Sequence, residues 1–208
     1  MKASLSLAIM GLTATSACFA QFGPDLPERP FGIVRVDPGL DKLIPKNAKL
    51  EEIQAGFGLT EGPVWWPEAG KSGLLISDLT ANVIYKWTPQ GTSVFLDKAG
   101  YSGTDFNNAG TQTKRGRVAV LMIGPNGEAL DSQGRLVWCA SPDGTIVRLE
   151  KDGKRTVLAD KYEGKRFNGP NDLVVRHSDD AVFFTDSDFG LRGSSKSPQK
   201  ELSFNGVY

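Results

Sequence analysis

The sequence predicts an all-β fold built from repeated units of four short strands. From about residue 49 onward, short runs of β-branched and aromatic residues alternate with turns rich in Gly, Asp and Pro. No segment carries apolar residues at the 3.6-residue spacing of an amphipathic helix. The same order of strands also recurs along the chain. Together these observations indicate antiparallel sheets joined by tight turns.

The repeat is marked by Gly-Pro dipeptides, each followed, after a polar turn, by an apolar strand. The dipeptides begin at Gly62, Gly124 and Gly169, and the strands that follow them cover 74–78, 135–140 and 181–186. The first two copies share one register, 62 residues apart, through four strands, whereas the second and third are 45 apart. We therefore expect an insertion in the first unit, between Lys98 and Met122, and we expect it to form a surface loop.

Four short strands in about forty residues are typical of a β-propeller blade, because a blade buries its faces only against its neighbours. A β-sandwich would not usually repeat its sequence, and the unit is long for a β-solenoid coil. The chain holds two complete units and a third that stops near Tyr208. We therefore predict an incomplete propeller of about two and a half to three blades over residues 49–208. Its open faces would be free for self-association, although a piece of a longer propeller is the more economical interpretation.

The first 20 residues have the pattern of a secretory signal peptide. Lys2 precedes an apolar stretch from Leu5 to Ala14, and small residues then lead to a cleavage site after Ala20. The apolar stretch is too short to remain as a membrane span. We predict a signal peptide over 1–20 and a secreted or periplasmic protein. Lipoprotein modification at Cys18 is an alternative that the residue three positions before it disfavours.

Residues 21–48 are rich in proline and predict an irregular leader. The 24 basic and 24 acidic residues are scattered, so composition indicates neither a nucleic-acid partner nor a membrane surface. After cleavage Cys139 would be the single cysteine, which excludes an intrachain disulfide. With His177 as the sole histidine, a buried structural thiol is expected rather than a nucleophile.

Three polar residues beside the Gly-Pro dipeptides are expected to reach a common channel, namely Glu61, Asn126 and Asn171. Their carboxylate and amide oxygens suit Ca²⁺, whereas zinc would call for His and Cys. A cation with few carboxylate ligands can still polarise a carbonyl or phosphoryl oxygen. Gly-Pro-Asn also forms plain turns, and for Asn126 alone we favour that interpretation.

Several stretches resemble the gluconolactonase, senescence-marker-protein and luciferin-regenerating-enzyme family. They are Thr60–Trp65 (TEGPVW), Gly124–Gly127 (GPNG), Lys165–Asp172 (KRFNGPND) and Phe183–Asp186 (FFTD). The resemblance runs from about residue 50 to 208. It implies a six-bladed propeller with a divalent cation, usually calcium, in its channel, and hydrolysis of sugar lactones or related esters.

The resemblance implies that Glu61 and Asn171 are cation ligands. The family's remaining ligands, among them the aspartate that also acts as catalytic base, would lie beyond Tyr208. Asp186 ends a strand and is expected to be structural, or part of a secondary ion site, rather than catalytic.

The resemblance also implies contacts with the substrate. Arg166 and Asn168 match a family segment that touches substrate, although Gly169-Pro170 intervenes here before the Asn-Asp pair. Asp172 would either support the cation ligands from behind or line the channel, and it is counted with the substrate contacts.

The sequence thus predicts the N-terminal part of a metal-dependent hydrolase of sugar lactones, with a small lactone or ester as its substrate and no activity as an isolated chain. Three alternatives remain open. One is a non-catalytic secreted propeller that binds protein or carbohydrate, and another is a phosphotriesterase or paraoxonase-like hydrolase. The third, a metal-free propeller of the strictosidine-synthase type, does not call for paired Glu and Asn ligands.

Overall fold

A computed structural model describes residues 32–114 and 118–208. The chain divides into two units, Met1–Gly56 and Phe57–Tyr208. The described ranges contain strands and short 3-10 helices but no α-helix, which confirms the all-β prediction. No helix in these ranges is long and apolar enough to span a bilayer. The predicted signal peptide and the first residues of the predicted leader lie outside them.

The described part of the first unit, residues 32–56, is held by local polar contacts. A 3-10 helix covers Pro38–Lys42 and begins at Asp37, whose carboxylate accepts a hydrogen bond from Gly39 N at 2.6 Å. The guanidinium of Arg35 donates to Asp41 Oδ1 at 2.6 Å. None of the described residues in this range is buried, so it has no apolar core of its own.

The second unit begins with a four-stranded antiparallel meander. Its strands are β1 (Thr60–Trp66), β2 (Gly73–Asp78), β3 (Val83–Thr88) and β4 (Gly91–Asp97). A two-stranded hairpin follows, formed by β5 (Gly110–Lys114) and β6 (Val118–Met122). This hairpin occupies the predicted insertion, where the sequence indicated a surface loop.

Two further sheets follow in chain order. The second sheet contains β7 (Glu128–Leu130), β8 (Leu136–Ala140), β9 (Thr145–Leu149) and β10 (Arg155–Ala159). A short hairpin of β11 (Lys161–Tyr162) and β12 (Lys165–Arg166) leads to the third sheet, which contains β13 (Pro170–Arg176), β14 (Ala181–Asp186) and β15 (Gly206–Val207). Sheets of four, four and three strands fit the predicted repeat of blade-like units.

The second sheet is covered on both faces. Every residue of β8 is buried, and successive side chains of a strand point to opposite faces. Leu136 and Trp138 pack toward the first sheet with Leu75 and Ile84. From the other face of β8, two residues enter a second cluster shared with the third sheet; its buried members are Val137, Cys139, Ile146, Phe167, Val175, Phe184 and Leu202. The core therefore lies between stacked sheets, as propeller blades require.

Hydrogen bonds between neighbouring sheets also orient the sheets relative to each other, which apolar packing alone does not do. The indole N–H of Trp138 donates to Ala99 O at 2.7 Å. Arg155 of β10 donates to the carbonyls of Asp97 and Lys98 at the end of the first sheet, at 2.6 and 2.8 Å. These bonds fix the rotation of one sheet relative to the next.

The structure keeps the predicted 62-residue register of the second and third strands in the first two units. It corrects the alignment of the first strand in the first unit. Thr60 pairs with Asp78, and Pro170 pairs with Asp186; each partner is the last residue of its strand. The residues one position later, Glu61 and Asn171, are therefore equivalent. Alignment of the Gly-Pro dipeptides is wrong for the first unit because its β1–β2 connection is longer, which places its dipeptide further along the chain.

The same correction identifies the third equivalent residue. Glu61 pairs with Ser77, one residue before the end of β2. Asn126 N donates to the carbonyl of Cys139, one residue before the end of β8, at 2.9 Å. Asn126 is thus the counterpart of Glu61 and Asn171, so three sheets present one polar side chain each from the same position.

Trp138 gives a test of the stacked core. Replacement by Ala removes a large side chain that is 1% exposed, and we expect a loss of about 3–5 kcal/mol in the free energy of unfolding. Trp138→Phe keeps an aromatic ring but not the hydrogen bond to Ala99, and it should cost less. Val157→Ala, on a residue that is 55% exposed, is the matched control and should change stability by less than about 0.5 kcal/mol. Urea unfolding of the three variants measures these differences, and equal losses for Trp138→Ala and Val157→Ala would contradict the packing.

Candidate cation site

Glu61, Asn126 and Asn171 line one pocket at the inner edge of the three sheets. The backbone segments of the second and third residues are in direct contact, since Gly127 N donates to Asn171 O at 2.8 Å. Each residue opens the first strand of its sheet or lies just before it, so the equivalent positions place one oxygen-bearing side chain per sheet in the same small space.

Two glycines allow this close approach. A Cβ on Gly62 would lie 2.5 Å from Asn126 O, and one on Gly127 would lie 2.6 Å from Asp172 Cα. Such distances are too short for a real side chain. Gly62 also has a φ of +59°, a conformation that favours glycine. Gly62 follows Glu61 in the chain, and Gly127 follows Asn126. Each glycine therefore lets the segment that carries its polar residue approach the next segment closely.

Asn126 is the member of this trio whose side chain most needs a further partner. Its side chain is buried, and its Oδ1 has no hydrogen-bond partner among the described residues. Leaving such an oxygen unpaired costs about 1–3 kcal/mol. The amide therefore does not cap its own turn, as the sequence favoured for this residue alone, and its oxygen is available to a bound group.

The residue types set what that group can be. Within residues 32–114 and 118–208, no group of three or more His, Cys, Asp or Glu side chains could hold a metal ion. The pocket instead offers one carboxylate, from the exposed Glu61, and the amides of Asn126 and Asn171. Oxygen donors of this kind fit a hard cation such as Ca²⁺ and do not fit zinc.

The pocket is small. It holds about 30 Å³, which is room for an ion or a water molecule but not for a sugar lactone. Gln112 of β5, Met122 of β6 and Phe189 of the β14–β15 connection are among its other lining residues. A substrate would therefore meet a bound cation from outside the pocket.

The inserted hairpin is attached to the third sheet beside this pocket. Gly110 N donates to Gly190 O at 3.0 Å, and Ala109 and Leu191 form an antiparallel bridge in which both side chains are buried. The connection between the first two sheets is thus tied to a loop of the third.

Glu128 is a buried carboxyl near the site that the sequence did not single out. Its Oε1 accepts a hydrogen bond from Ser77 Oγ at 2.5 Å, and Ser77 pairs with Glu61 across β1 and β2. Burial raises the pKa of Glu128 to about 8, against a weaker lowering by the Ser77 bond. The carboxyl is mostly protonated at neutral pH, which leaves Glu61 as the carboxylate of the pocket. The one signal in the sequence that could have identified Glu128 is its place at the start of a strand, where its side chain faces inward.

The predicted substrate residue Asn168 is buried away from this pocket. Its side-chain amide donates to Phe204 O at 2.9 Å, and its backbone N–H donates to Asp186 Oδ2 at 2.9 Å. The residue is 1% exposed. Asn168 is therefore held by the carbonyl of Phe204 and the carboxylate of Asp186, and it does not line the cation pocket.

Arg166 and Asp172 lie at two other places. Arg166 lines a second pocket, described below, and Asp172 lines a shallow groove on the third sheet. The Asp172 carboxylate accepts from Leu173 N at 2.9 Å. The structure thus groups the two predicted cation ligands in one pocket. Of the three predicted substrate residues, Arg166 donates to the backbone carbonyl of Asn168, but their side chains do not line a common pocket.

Asp186 is in a structural position, as the sequence indicated. It accepts hydrogen bonds from the backbone of Asn168 and Gly169, at 2.9 and 2.7 Å, and burial raises its pKa. Asp78 makes the equivalent bond to Gly58 N at 2.9 Å in the first sheet. Cys139 is free and buried, and burial raises the pKa of its thiol well above the ordinary value, which fits an unreactive core residue.

Several known proteins are similar to this chain in sequence and in fold. The family described as "SMP-30/Gluconolactonase/LRE-like region" matches residues 59–206. A protein named gluconolactonase from Zymomonas mobilis subsp. mobilis is 35% identical over 186 residues, which cover 85% of this chain and 46% of that protein.

Two solved structures are also similar. A gluconolactonase from Xanthomonas campestris, described as important in glucose secondary metabolic pathways, aligns with a TM-score of 0.52 and 32% identity over 75% of this chain and 44% of its own. A second structure, provisionally named a gluconolactonase, aligns with a TM-score of 0.61 and 26% identity over 83% of this chain and 52% of its own. The chain spans about half the length of these relatives. With a family match over most of its length, this chain belongs to the SMP-30/gluconolactonase/LRE-like family.

Proposed function

We propose that this chain supplies the cation-binding part of a lactone hydrolase. One observation carries the proposal: Glu61, Asn126 and Asn171 occupy equivalent positions in three sheets and line one pocket, where the Asn126 oxygen is unpaired. Membership of the gluconolactonase-like family supports sugar lactones as the substrate class. The metal we propose is calcium, because the donors are all oxygens.

The chain's residues would act by holding and exposing the cation. Glu61 and Asn171 would ligate it from the first and third sheets, and Asn126 would give its buried amide oxygen from the second. When bound, the cation would polarise the lactone carbonyl and stabilise the oxyanion that forms as water attacks. A single carboxylate leaves most of the cation's charge available for this task. Met122 and the side chain of Phe189 would keep bulk water from one side of the site.

We further propose that the three sheets are consecutive blades of a six-bladed propeller. The chain covers about half of each relative compared with it, and its three larger sheets are half of six. In that arrangement the aspartate that activates water would come from another part of the ring. The signal-like pattern of residues 1–20 supports a secreted or periplasmic protein.

Cation binding can be tested on the chain itself. With one carboxylate ligand we expect a calcium Kd on the order of 10⁻⁴–10⁻³ M. At about ten times Kd, binding should stabilise the fold by about 1.4 kcal/mol and raise Tm by roughly 3–6 °C. Glu61→Gln should abolish this rise, measured by differential scanning calorimetry with and without CaCl₂.

Two further variants sharpen the result. Asn126→Ala should also abolish the calcium-dependent rise yet leave the metal-free Tm nearly unchanged, because its oxygen has no partner to lose. Glu51→Gln makes the same charge change on an exposed residue outside the pocket and should keep the full rise. If Glu61→Gln retains the calcium effect, the cation site is wrong and a metal-free binding propeller becomes the better interpretation.

Hydrolysis gives a separate prediction. The purified 208-residue chain should not hydrolyse gluconolactone above the spontaneous rate at any calcium concentration, because the aspartate that the family resemblance implies would come from outside these residues. Acid release followed in a pH-stat measures the rate. Calcium-dependent turnover that Glu61→Gln removes would show instead that this chain holds a complete catalytic site.

A further inference from the structure

A second, larger pocket adjoins the cation pocket. It holds about 370 Å³, against about 30 Å³ for the cation pocket, and so falls in the size range of small-molecule sites. The two share a wall, since Ser141 lines the cation pocket and the next residue, Pro142, lines the larger one. The stem of the inserted hairpin separates them on the other side, with Ala109 and Gln112 facing the larger and the smaller pocket, respectively.

Arg166 provides a fixed hydrogen-bond donor in this pocket. Its guanidinium donates to the backbone carbonyls of Phe167 at 2.7 Å, Asn168 at 3.2 Å and Pro142 at 2.6 Å. Gly144 makes room for it, because a Cβ there would lie 2.7 Å from Arg166 Cζ. Carbonyls neutralise no charge, so the arginine remains a rigid cation at the pocket wall.

Two carboxylates provide fixed acceptors. Asp143 accepts from the backbone N–H of Ser102 at 3.1 Å, and Glu201 accepts from Arg166 N at 2.8 Å. A carboxylate has about four acceptor sites, so each keeps capacity for a ligand. One arginine and two carboxylates give the lining a net charge of about −1, which disfavours an anionic ligand.

Tyr101 adds an aromatic wall. Its hydroxyl donates to Asp105 O at 2.7 Å, and its ring packs on Phe106 with the centroids 5.7 Å apart. Its backbone N–H donates to Asn82 Oδ1 at 3.0 Å. The ring is therefore held in place, and one amphipathic aromatic surface accompanies the charged groups. Gln199, which is exposed, brings an amide with both a donor and an acceptor to the opposite wall.

We propose that this pocket binds a neutral sugar ring. Hydroxyl groups of the ring would donate to Asp143 and Glu201 and accept from Arg166, while its C–H surface would lie on Tyr101. Where the cation pocket acts on a lactone, as proposed above, the adjoining position makes a lactone that carries a further sugar unit the preferred substrate class.

Sugar binding can be measured without any catalysis. The probes are methyl β-D-glucopyranoside, methyl β-D-galactopyranoside and methyl α-D-mannopyranoside, added to the chain in EDTA and detected by saturation-transfer difference NMR. We expect saturable binding of at least one glycoside. Asp143→Asn and Glu201→Gln keep an acceptor for their backbone partners but lose the charge, and each should weaken binding about tenfold. Glu52→Gln, an exposed residue outside the pocket, should leave the affinity unchanged.

The outcomes separate this proposal from the cation site. Absence of saturable binding by all three glycosides, or binding that neither Asp143→Asn nor Glu201→Gln weakens, would overturn the sugar pocket. Binding that requires calcium and is lost in Glu61→Gln would place the sugar in the cation pocket and also overturn it. Binding in EDTA by a chain with no calcium-dependent rise in Tm would support the sugar pocket while refuting the cation site.

Discussion

Three backbone segments approach one another at the inner edge of the stacked sheets, and the whole site depends on that approach. Gly62 and Gly127 have no side chain to hold the segments apart, and the hydrogen bond from Gly127 N to Asn171 O joins the second segment to the third. A polar side chain next to each contact therefore faces the same small volume. The apolar layers between sheets supply most of the stability, but they would permit small shifts of one sheet against the next. The backbone contacts do not permit such shifts.

Two buried polar groups near this edge respond to burial in different ways. Glu128 can become neutral by binding a proton, and its raised pKa shows that burial favours this form. Asn126 has no such route, because an amide does not titrate in this range, and its Oδ1 stays unpaired. An external partner is the remaining way to satisfy that oxygen. The pair thus adds little negative charge to the site and leaves one buried amide oxygen for an external partner.

Much of the fold could be predicted from the sequence because strands and turns are local. The short apolar runs and the recurring Gly-Pro dipeptides predicted the sheets and their order, and the motifs at Glu61 and Asn171 predicted two residues that line one pocket. The alignment of the first strand in the first unit was wrong because a shared dipeptide was taken as the fixed point, whereas pairing with the end of the second strand decides equivalence. The bond from the inserted hairpin to the third sheet, and the bond from Arg166 to the Pro142 carbonyl, join segments that are distant in the sequence, so no local signal predicts them.

The burial of β8 on both faces also bears on how the fold assembles. Neither flanking sheet alone can shield this strand, so its amides gain full protection only after the first and third sheets have both docked. During synthesis the second sheet is made before the third, and its Val137 and Cys139 face then stays open until residues up to Leu202 have emerged. The second sheet thus becomes fully buried only after the third has docked, and hydrogen exchange in β8 should report that docking rather than the first steps of folding.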